Sequence, residues 1–590
     1  MLPEIGNFFL LLAIIASIPA IFSRKNIYGY LLSSLVLSAY IVLIYSFVTS
    51  DFSVVNVYLN SSTIKPLIYK ISAAWASHEG SIMLFVLTLS MVDIYLRRHD
   101  WDISQKSFHP ITAIISGFLL IIYFTSTPFG RLLNPPVEGL GLNPSLQDPA
   151  LAIHPPILYL GYALYSAPYS ITVSALWNRI NIVEILTRLK FYSGLALAFL
   201  TIGVGLGSWW AYRELGWGGY WFFDPVENTS LVVWIMGIAF HHMIILARRE
   251  NKYSNLMALT AILTFLLSLM GTFLVRSGIL LSIHSFAFDA TRGAAIFALF
   301  SIISLMSLGL IAIRAKESKD QKIPALKNNI FFVSLAFLLI ADLLLIIATL
   351  YPPFMQLYSG TEFTIDITFY LKSFVPLCLL AVLLAPLVLY KEHAILSILG
   401  AFIALCIAYY YAKDIVSAIG VLAGLNLIFW AIIHSRIKKI PTIMGHFGLG
   451  LFVLAISLNC IFKETKEFIG KLDHKIEFKN YDIELFDIKY AKSENYMRQI
   501  AKFKITDRDE NKIFFLNPEQ RLYMIEKMTK SKPHINTTVT SDLYFVLLNI
   551  KDDEVHAEFH YNPAIFLLWF SVFLMALSLL WNRLLRGLSS

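Results

Sequence analysis

Again and again this sequence runs through roughly 20 apolar residues before a charge interrupts it, the length an α-helix needs to cross the hydrocarbon core of a bilayer. A chain built this way satisfies its backbone in lipid only by closing each N–H and C=O inside helices. Hydropathy gives about 15 candidate spans along the chain. Composition agrees: 57% of the 590 residues are hydrophobic and 15% are charged, against roughly a quarter charged in soluble domains. The first apolar run, Asn7 to Phe22, lacks a basic leader and a small-residue cleavage site, and reads as a retained span.

The net charge of +8 is not a nucleic-acid footprint, because the basic residues sit in short loops where they set topology. Arg24–Lys25, Arg97–Arg98, Arg179, Arg188, Lys190, Arg248–Arg249, Arg314 to Lys327, Lys391, Arg436, Lys438, Lys439, Arg583 and Arg586 fall on one side. That side is read as cytoplasmic. The opposite, periplasmic side carries longer segments rich in Trp, Tyr, Pro and Gly. Cys378, Cys406 and Cys460 are far apart in apolar stretches, and the lack of a CxxC pair excludes dithiol exchange. From Glu464 to Tyr561 charged and apolar residues alternate, as strands with one buried face do. The expected architecture is an all-α polytopic membrane bundle with a small periplasmic β domain inserted before the last helix. Its parts are the bundle over 1–463, the β domain over 464–561, and a last helix with a cytoplasmic tail over 562–590.

After a span expected to end near Gly207 comes an aromatic segment, residues 207–228. Trp209, Trp210, Trp217 and Trp221 crowd into it with Tyr212, Tyr220, Phe222 and Phe223. An interfacial aromatic belt would explain the tryptophans. Gly218–Gly219 and Asp224-Pro-Val-Glu-Asn228 also suit a platform on which a flat apolar ligand stacks. Chemistry alone leaves both open.

The segment closely resembles the tryptophan-rich WWD signature of the haem-handling proteins of cytochrome c maturation. Trp75-Ala-Ser-His-Glu-Gly-Ser81, Gln147-Asp-Pro-Ala-Leu-Ala-Ile-His-Pro-Pro156, Gly271-Thr-Phe-Leu-Val-Arg-Ser-Gly278 and Pro518-Glu-Gln-Arg-Leu-Tyr523 look like the CcmF branch of that superfamily. The motifs occur in the family's order over nearly the whole chain. The sequence departs from the pattern at Phe223, where a further Trp is usual; stacking survives that change, but an indole N–H is lost.

Histidines come in two pairs at matched depth. His154 and His284 precede apolar runs on the side of the tryptophan segment. His242 lies about five residues inside the cytoplasmic end of its span and His446 about five inside another, so both fall roughly 7–8 Å below that edge. Facing imidazoles can ligate one haem iron axially. The resemblance assigns His154 and His284 to the incoming haem and His242 and His446 to a resident b-type haem. His241 points about 100° away from His242, and His78, His434, His534 and His560 read as structural or surface residues. Arg276 and Arg213 suit haem propionates, though topology-setting or capping explains them equally well. Asp224 and Glu227 read as turn and helix-start chemistry rather than as an acid/base pair. Asp93 and Asp342 look too isolated for a proton relay.

The resemblance implies a cytochrome c haem lyase of the bacterial inner membrane. Haem would lie against Trp209, Trp210, Trp217, Trp221 and Asp224 while apocytochrome CxxCH thiols add to its vinyl groups, and the resident haem b would reduce it. The implied partners are a CcmE-type haem chaperone, CcmH- and CcmI-type thiol- and apocytochrome-handling proteins, and the apocytochrome itself. Two other readings stand beside it: a transmembrane haem transporter, and a paralogue dedicated to one cytochrome such as a nitrite reductase.

Overall fold

The computed structural model describes residues 2–23, 25–99, 108–250, 253–280, 282, 289–315, 330–389, 406, 410, 414–436, 439–551 and 553–588, with the side chains of 250, 315, 387–389, 436 and 582–588 excepted. Apolar segments become helices in the expected order. The first half contains α1 (Leu2–Phe22), α2 (Asn26–Val48), α3 (Val55–Asn60), α4 (Leu67–Ala76), α5 (His78–His99), α6 (Pro110–Thr125), α7 (Pro149–Trp177) and α8 (Ile182–Glu214). The second contains α9 (Pro225–Glu250), α10 (Ser254–Ser277), α11 (Ala290–Ala315), α12 (Ile330–Ser359), α13 (Val375–Leu389, entered through a π-helical turn Tyr370–Phe374), α14 (Ile415–Ile433), α15 (Ile440–Phe462) and α16 (Ile565–Leu588).

Among the described residues, 11 helical segments are long and apolar enough to cross a membrane. Two more apolar helices are shorter, Pro110–Thr125 and Ile565–Trp581. Helix α7 is 29 residues long but carries Pro155, Pro156 and Pro168. The count of about 15 is therefore not reached among the described residues, and residues 390–405 lie outside them.

Two groups of helices share α8. In the first, α5 is buried along nearly its whole length between α2, α6 and α7. Asp93 is not isolated there. Its carboxylate accepts from Arg97 Nε at 2.8 Å, and Arg97 also donates to Thr112 and to the Ala20 carbonyl. A buried cation and anion are tolerable when both are paired and hydrogen-bonded in this way. In the second group α8, α9, α12, α13, α14, α15 and α16 each pack on the next, and α16 closes back on α8. This closed ring leaves α9 and α15 facing one another across its interior.

The chain leaves α15 directly into a ten-stranded antiparallel sandwich. One sheet runs β1 (Glu464–Gly470), β10 (Glu554–Pro563), β9 (Ser541–Lys551), β8 (His534–Thr537). The other runs β2 (Lys475–Phe478), β3 (Tyr481–Lys492), β4 (Tyr496–Asp507), β6 (Glu519–Tyr523), β7 (Met528–Lys532), with β5 (Lys512–Leu516) beside β4. Alternation puts Phe468, Leu485, Phe503, Phe545, Leu547 and Phe559 between the sheets, and the rings of Phe545 and Phe559 stack at 4.0 Å.

Candidate functional site

The tryptophan segment begins on a helix. The span expected to end near Gly207 continues to Glu214, since nothing between Ser208 and Glu214 breaks it, and it stops where Gly216 adopts a φ of +77°. Trp209 and Arg213 are therefore one turn apart, with the guanidinium 4.8 Å over the indole. Trp210 is 3% exposed and its Nε1 donates to the Ser145 carbonyl at 3.0 Å, so it packs rather than forming an open shelf. Trp217 is half exposed and meets Phe222 edge-on at 4.6 Å. The buried Nε1–H of Trp221 has no acceptor among the described residues. Phe223, at a φ of +53°, stacks flat on Tyr370 at 4.5 Å, so that the aromatic contact there is kept by phenyl and phenol.

Asp224 and Glu227 start α9. Asp224 Oδ1 accepts from Val226 N at 2.9 Å, and Glu227 reaches back to the amides of Phe222 and Asp224 at 3.0 and 3.3 Å. This reciprocal pattern is a capping box. Asp224 also accepts from Ser282 Oγ at 2.6 Å, which ties the chain two residues before His284 to the tryptophan segment. His284 itself lies outside the described residues.

His154 stands in the second turn of α7, whose start is capped by Asp148 accepting from Ala150 N at 2.8 Å. Its Nδ1–H donates to the Gly203 carbonyl at 2.8 Å, which leaves Nε2 as the basic nitrogen. The ring lies flat on α8: a Cβ placed on Gly207 would sit 2.7 Å from His154 Cε1. Arg276 is 2% exposed and donates from Nη2 to Tyr159 Oη at 2.9 Å, while its buried Nε has no acceptor among the described residues.

His242 and His446 face each other from α9 and α15 across the ring of helices. Their centroids are 6.3 Å apart with planes at 87°. Each donates Nδ1–H to the carbonyl one turn back, His242 to Ile238 at 2.8 Å and His446 to Thr442 at 2.7 Å. Imidazole nitrogens bind first-row metals at about 2.0–2.1 Å, and with about 1.2 Å from nitrogen to ring centre a trans pair needs centroids about 6.4 Å apart. The observed spacing fits one shared iron. His241 turns the other way and pairs with Ser193 Oγ at 2.9 Å. That bond levels residue 193 with residue 241, and Trp234 Nε1 donating to Thr201 Oγ1 at 2.9 Å levels 201 with 234. Gly203 and Gly207 are 10 and 14 residues beyond Ser193 on α8, so His154 lies about 15–21 Å above the lower pair at 1.5 Å per residue.

Sequence reasoning missed how the sandwich grips the tryptophan segment. Lys532 of β7 donates to Asp148 Oδ2 at 2.9 Å and pairs with Glu214, while Arg213 reaches the same Asp148 oxygen at 3.2 Å. Burial alone would raise the Asp148 carboxyl, but Lys532 and Arg213 hold it below its usual range. Tyr212 donates to Asp542 Oδ2 at 3.0 Å and accepts from Asn562 at 3.1 Å. Gly218, at a φ of +60°, lies on the His560 ring, and its carbonyl accepts from Lys463 at 2.8 Å. Burial, with Lys463 nearby, pushes His560 down to about 4. The Pro518–Tyr523 motif in the same domain and the Gln147–Pro156 motif, which contains Asp148, were the sequence signals pointing here.

Comparison with known proteins matches the cytochrome C assembly protein family over residues 75–282 and the CcmF C-terminal beta-sandwich over residues 461–563. The cytochrome c-type biogenesis protein CycK of Bradyrhizobium diazoefficiens is 32% identical, covering 91% of this chain and 88% of its own. The cytochrome c-type biogenesis protein CcmF of Escherichia coli is also 32% identical, over 98% and 96%. A solved structure titled cytochrome c heme lyase CcmF superposes with a TM-score of 0.79 at 20% identity, over 98% and 96% of the two chains.

Proposed function

The chain belongs to the CcmF family of cytochrome c-type biogenesis proteins, and on that footing we propose that it is the haem lyase of cytochrome c maturation, working at the periplasmic face of the bacterial inner membrane. The observation that carries the haem reading is the lower pair: imidazoles of His242 and His446 spaced at 6.3 Å and fixed by their own helices. A haem b held there supplies one-electron chemistry inside the membrane. The two backbone carbonyls select the Nδ1–H tautomer, so that each Nε2 carries its lone pair without a prior proton loss.

At the upper level the incoming haem is substrate. His154, with His284 as its partner, takes the iron, and its Nδ1 bond to Gly203 sets the ring's orientation. Trp209, Trp217 and Trp221 supply aromatic faces and edges. Arg276 Nε and Trp221 Nε1, buried donors without acceptors among the described residues, suit the porphyrin's carboxylates. Held so, the vinyl groups present their double bonds to the two CxxCH thiols; each S–H adds across one C=C, giving a thioether with no leaving group. The protein's contribution is position rather than acid/base chemistry, consistent with Asp224 and Glu227 being occupied in capping α9. Because the chain has no CxxC, reduced thiols come from outside. A CcmE-type chaperone would deliver haem, and CcmH- and CcmI-type proteins would present the apocytochrome.

The test is the absorption spectrum of the purified protein. A reduced low-spin b-type signature is expected, and His242→Ala and His446→Ala each abolish it. A signature that survives both substitutions would refute the lower site.

A further inference from the structure

Two adjoining hollows lie on the sandwich, the smaller of them against the bundle. One, of about 540 Å³, opens on the outer face of the larger sheet and is lined by Lys489, Arg498, Lys502, Arg521 and Lys532. The other, of about 240 Å³, lies beyond Arg521, between Gln147 on the bundle and Asn495 and Tyr496 on the sandwich. Arg521 lines both, with its guanidinium 4.5 Å over Tyr496.

Basic side chains outnumber acidic ones in this groove five to two, with Glu494 the carboxylate of the smaller hollow. Glu519 is the one carboxylate on the wall of the first hollow, and Arg498 and Arg521 hold it. Lys532 is committed to Asp148 and Glu214. Lys489 meets Asp487 only in an exposed pair at 3.5 Å, an arrangement worth little to either partner. Lys502 stands 4.5 Å over the ring of Phe515 and 5.5 Å over that of Phe486, both well exposed. Basic side chains alternating with exposed aromatics suit a chain that brings carboxylates and apolar side chains together. Position adds to this, because Lys532 joins the groove to the cap of the His154 helix and to the end of the tryptophan helix. A polypeptide lying here would leave the groove at the helix cap six residues before His154.

We propose that this groove holds an extended, acidic stretch of the acceptor polypeptide and steers its thiols toward the tryptophan segment. The inference rests on the haem-lyase reading and names the surface by which that site takes its second substrate. Full-length protein in uncharged detergent should bind a labelled acidic peptide of fifteen or so residues, measured by fluorescence anisotropy. Its Asn/Gln analogue should bind about tenfold more weakly, and Lys489→Glu with Lys502→Glu should weaken the acidic peptide by a similar factor. Equal binding of both peptides, no binding, or indifference to the double charge reversal overturns the proposal. A photocrosslinker in place of Ile500, which lines the same hollow, should capture apocytochrome in cells. Capture of another assembly subunit or of lipid in its place also overturns it. The b-type spectrum recorded on the same preparation separates the two claims: an intact spectrum without peptide binding removes the groove alone, and a missing spectrum removes the haem reading.

Discussion

Gly207→Ala is the substitution that most sharply tests the upper site. The new methyl would sit 2.7 Å from His154 Cε1, 3.1 Å from Nδ1 and 3.2 Å from Nε2. Carbon atoms rest at about 3.5–4.0 Å, so the imidazole must withdraw by about 1 Å. Withdrawal stretches the 2.8 Å bond from Nδ1 to the Gly203 carbonyl past hydrogen-bonding range, at about 1 kcal/mol, and frees the ring to change tautomer. Loss of such an orienting partner costs about 10–100-fold at metal sites, and a displacement of about 1 Å can cost about 100-fold in rate. The helix itself gains, because Ala is about 1 kcal/mol better than Gly inside α8. The assay is covalent haem per reporter cytochrome, set beside the b-type spectrum of the purified variant. Attachment should fall about 100-fold while the spectrum of the lower pair is unchanged. Gly205→Ala is the control, since its methyl would meet Val572 at 2.6 Å and leave His154 alone; it should stay within a few-fold of the wild type. Attachment by Gly207→Ala within twofold of wild type would overturn the role given to His154, and so would an equal loss from Gly205→Ala.

Other outcomes follow from the same geometry. Lys532→Met takes from Glu214 the cation it pairs with and leaves Asp148 to Arg213 alone, a loss of about 3 kcal/mol in docking the sandwich, and hydrogen exchange over β6–β8 should accelerate; unchanged protection would show that the ion pair is incidental. Asp542 carries a pH prediction. Burial raises its carboxyl to about 6, against the opposing hydrogen bonds of Tyr212 and Thr537, so the folded state binds the proton more tightly than the unfolded one. The stabilisation is complete below the unfolded value near 3.8 and is lost as pH rises through about 6, on the order of 3 kcal/mol in all. Asp542→Asn should flatten the stability of the sandwich between pH 4 and 6, and an undiminished slope would assign it to another group. Tyr370→Ala removes the flat partner of Phe223 and should lower attachment without touching the b-type spectrum; loss of both together would mean that the second helical group had collapsed.

Most of the helical framework was legible because lipid enforces it: apolar length and basic loops bound the helices. The count came out differently where the helix is less apolar, as in proline-bearing α7, or short, as in α6. That His242 and His446 lie at one level was legible because depth is one-dimensional and can be counted from the basic loops. The contact of His154 with Gly207 was not, since it depends on the register of α7 against α8, which hydropathy leaves free. The pairing of Asp93 is not legible although its partner stands four residues on, because Arg97 reads in the sequence as a loop residue setting topology, whereas its side chain is fully buried beneath the bundle surface. The grip of the sandwich was least legible of all, because Lys532 and Asp148 are 384 residues apart and neither belongs to a periodic pattern.

The two levels are held in different ways, and the difference follows from where each must open. The lower imidazoles are fixed by carbonyls of their own helices, one turn back, so that this site needs nothing beyond two packed helices. His154 is oriented by a neighbouring helix through Gly203 and Gly207, and the segment beside it is held from outside by Lys532, Asp542, His560 and Asn562. Backbone in a loop rich in glycine cannot hold an aromatic surface still by its own torsions, because each glycine adds conformational freedom. Tertiary hydrogen bonds from a rigid sandwich take that freedom away without covering the segment with helices. On the proposed reading the site admits a flat ligand from one side and a polypeptide from another, and fixing it in this way suits that better than burial within the bundle. The sandwich is thus part of the upper site's construction, and its removal should disable attachment even where the lower pair is intact.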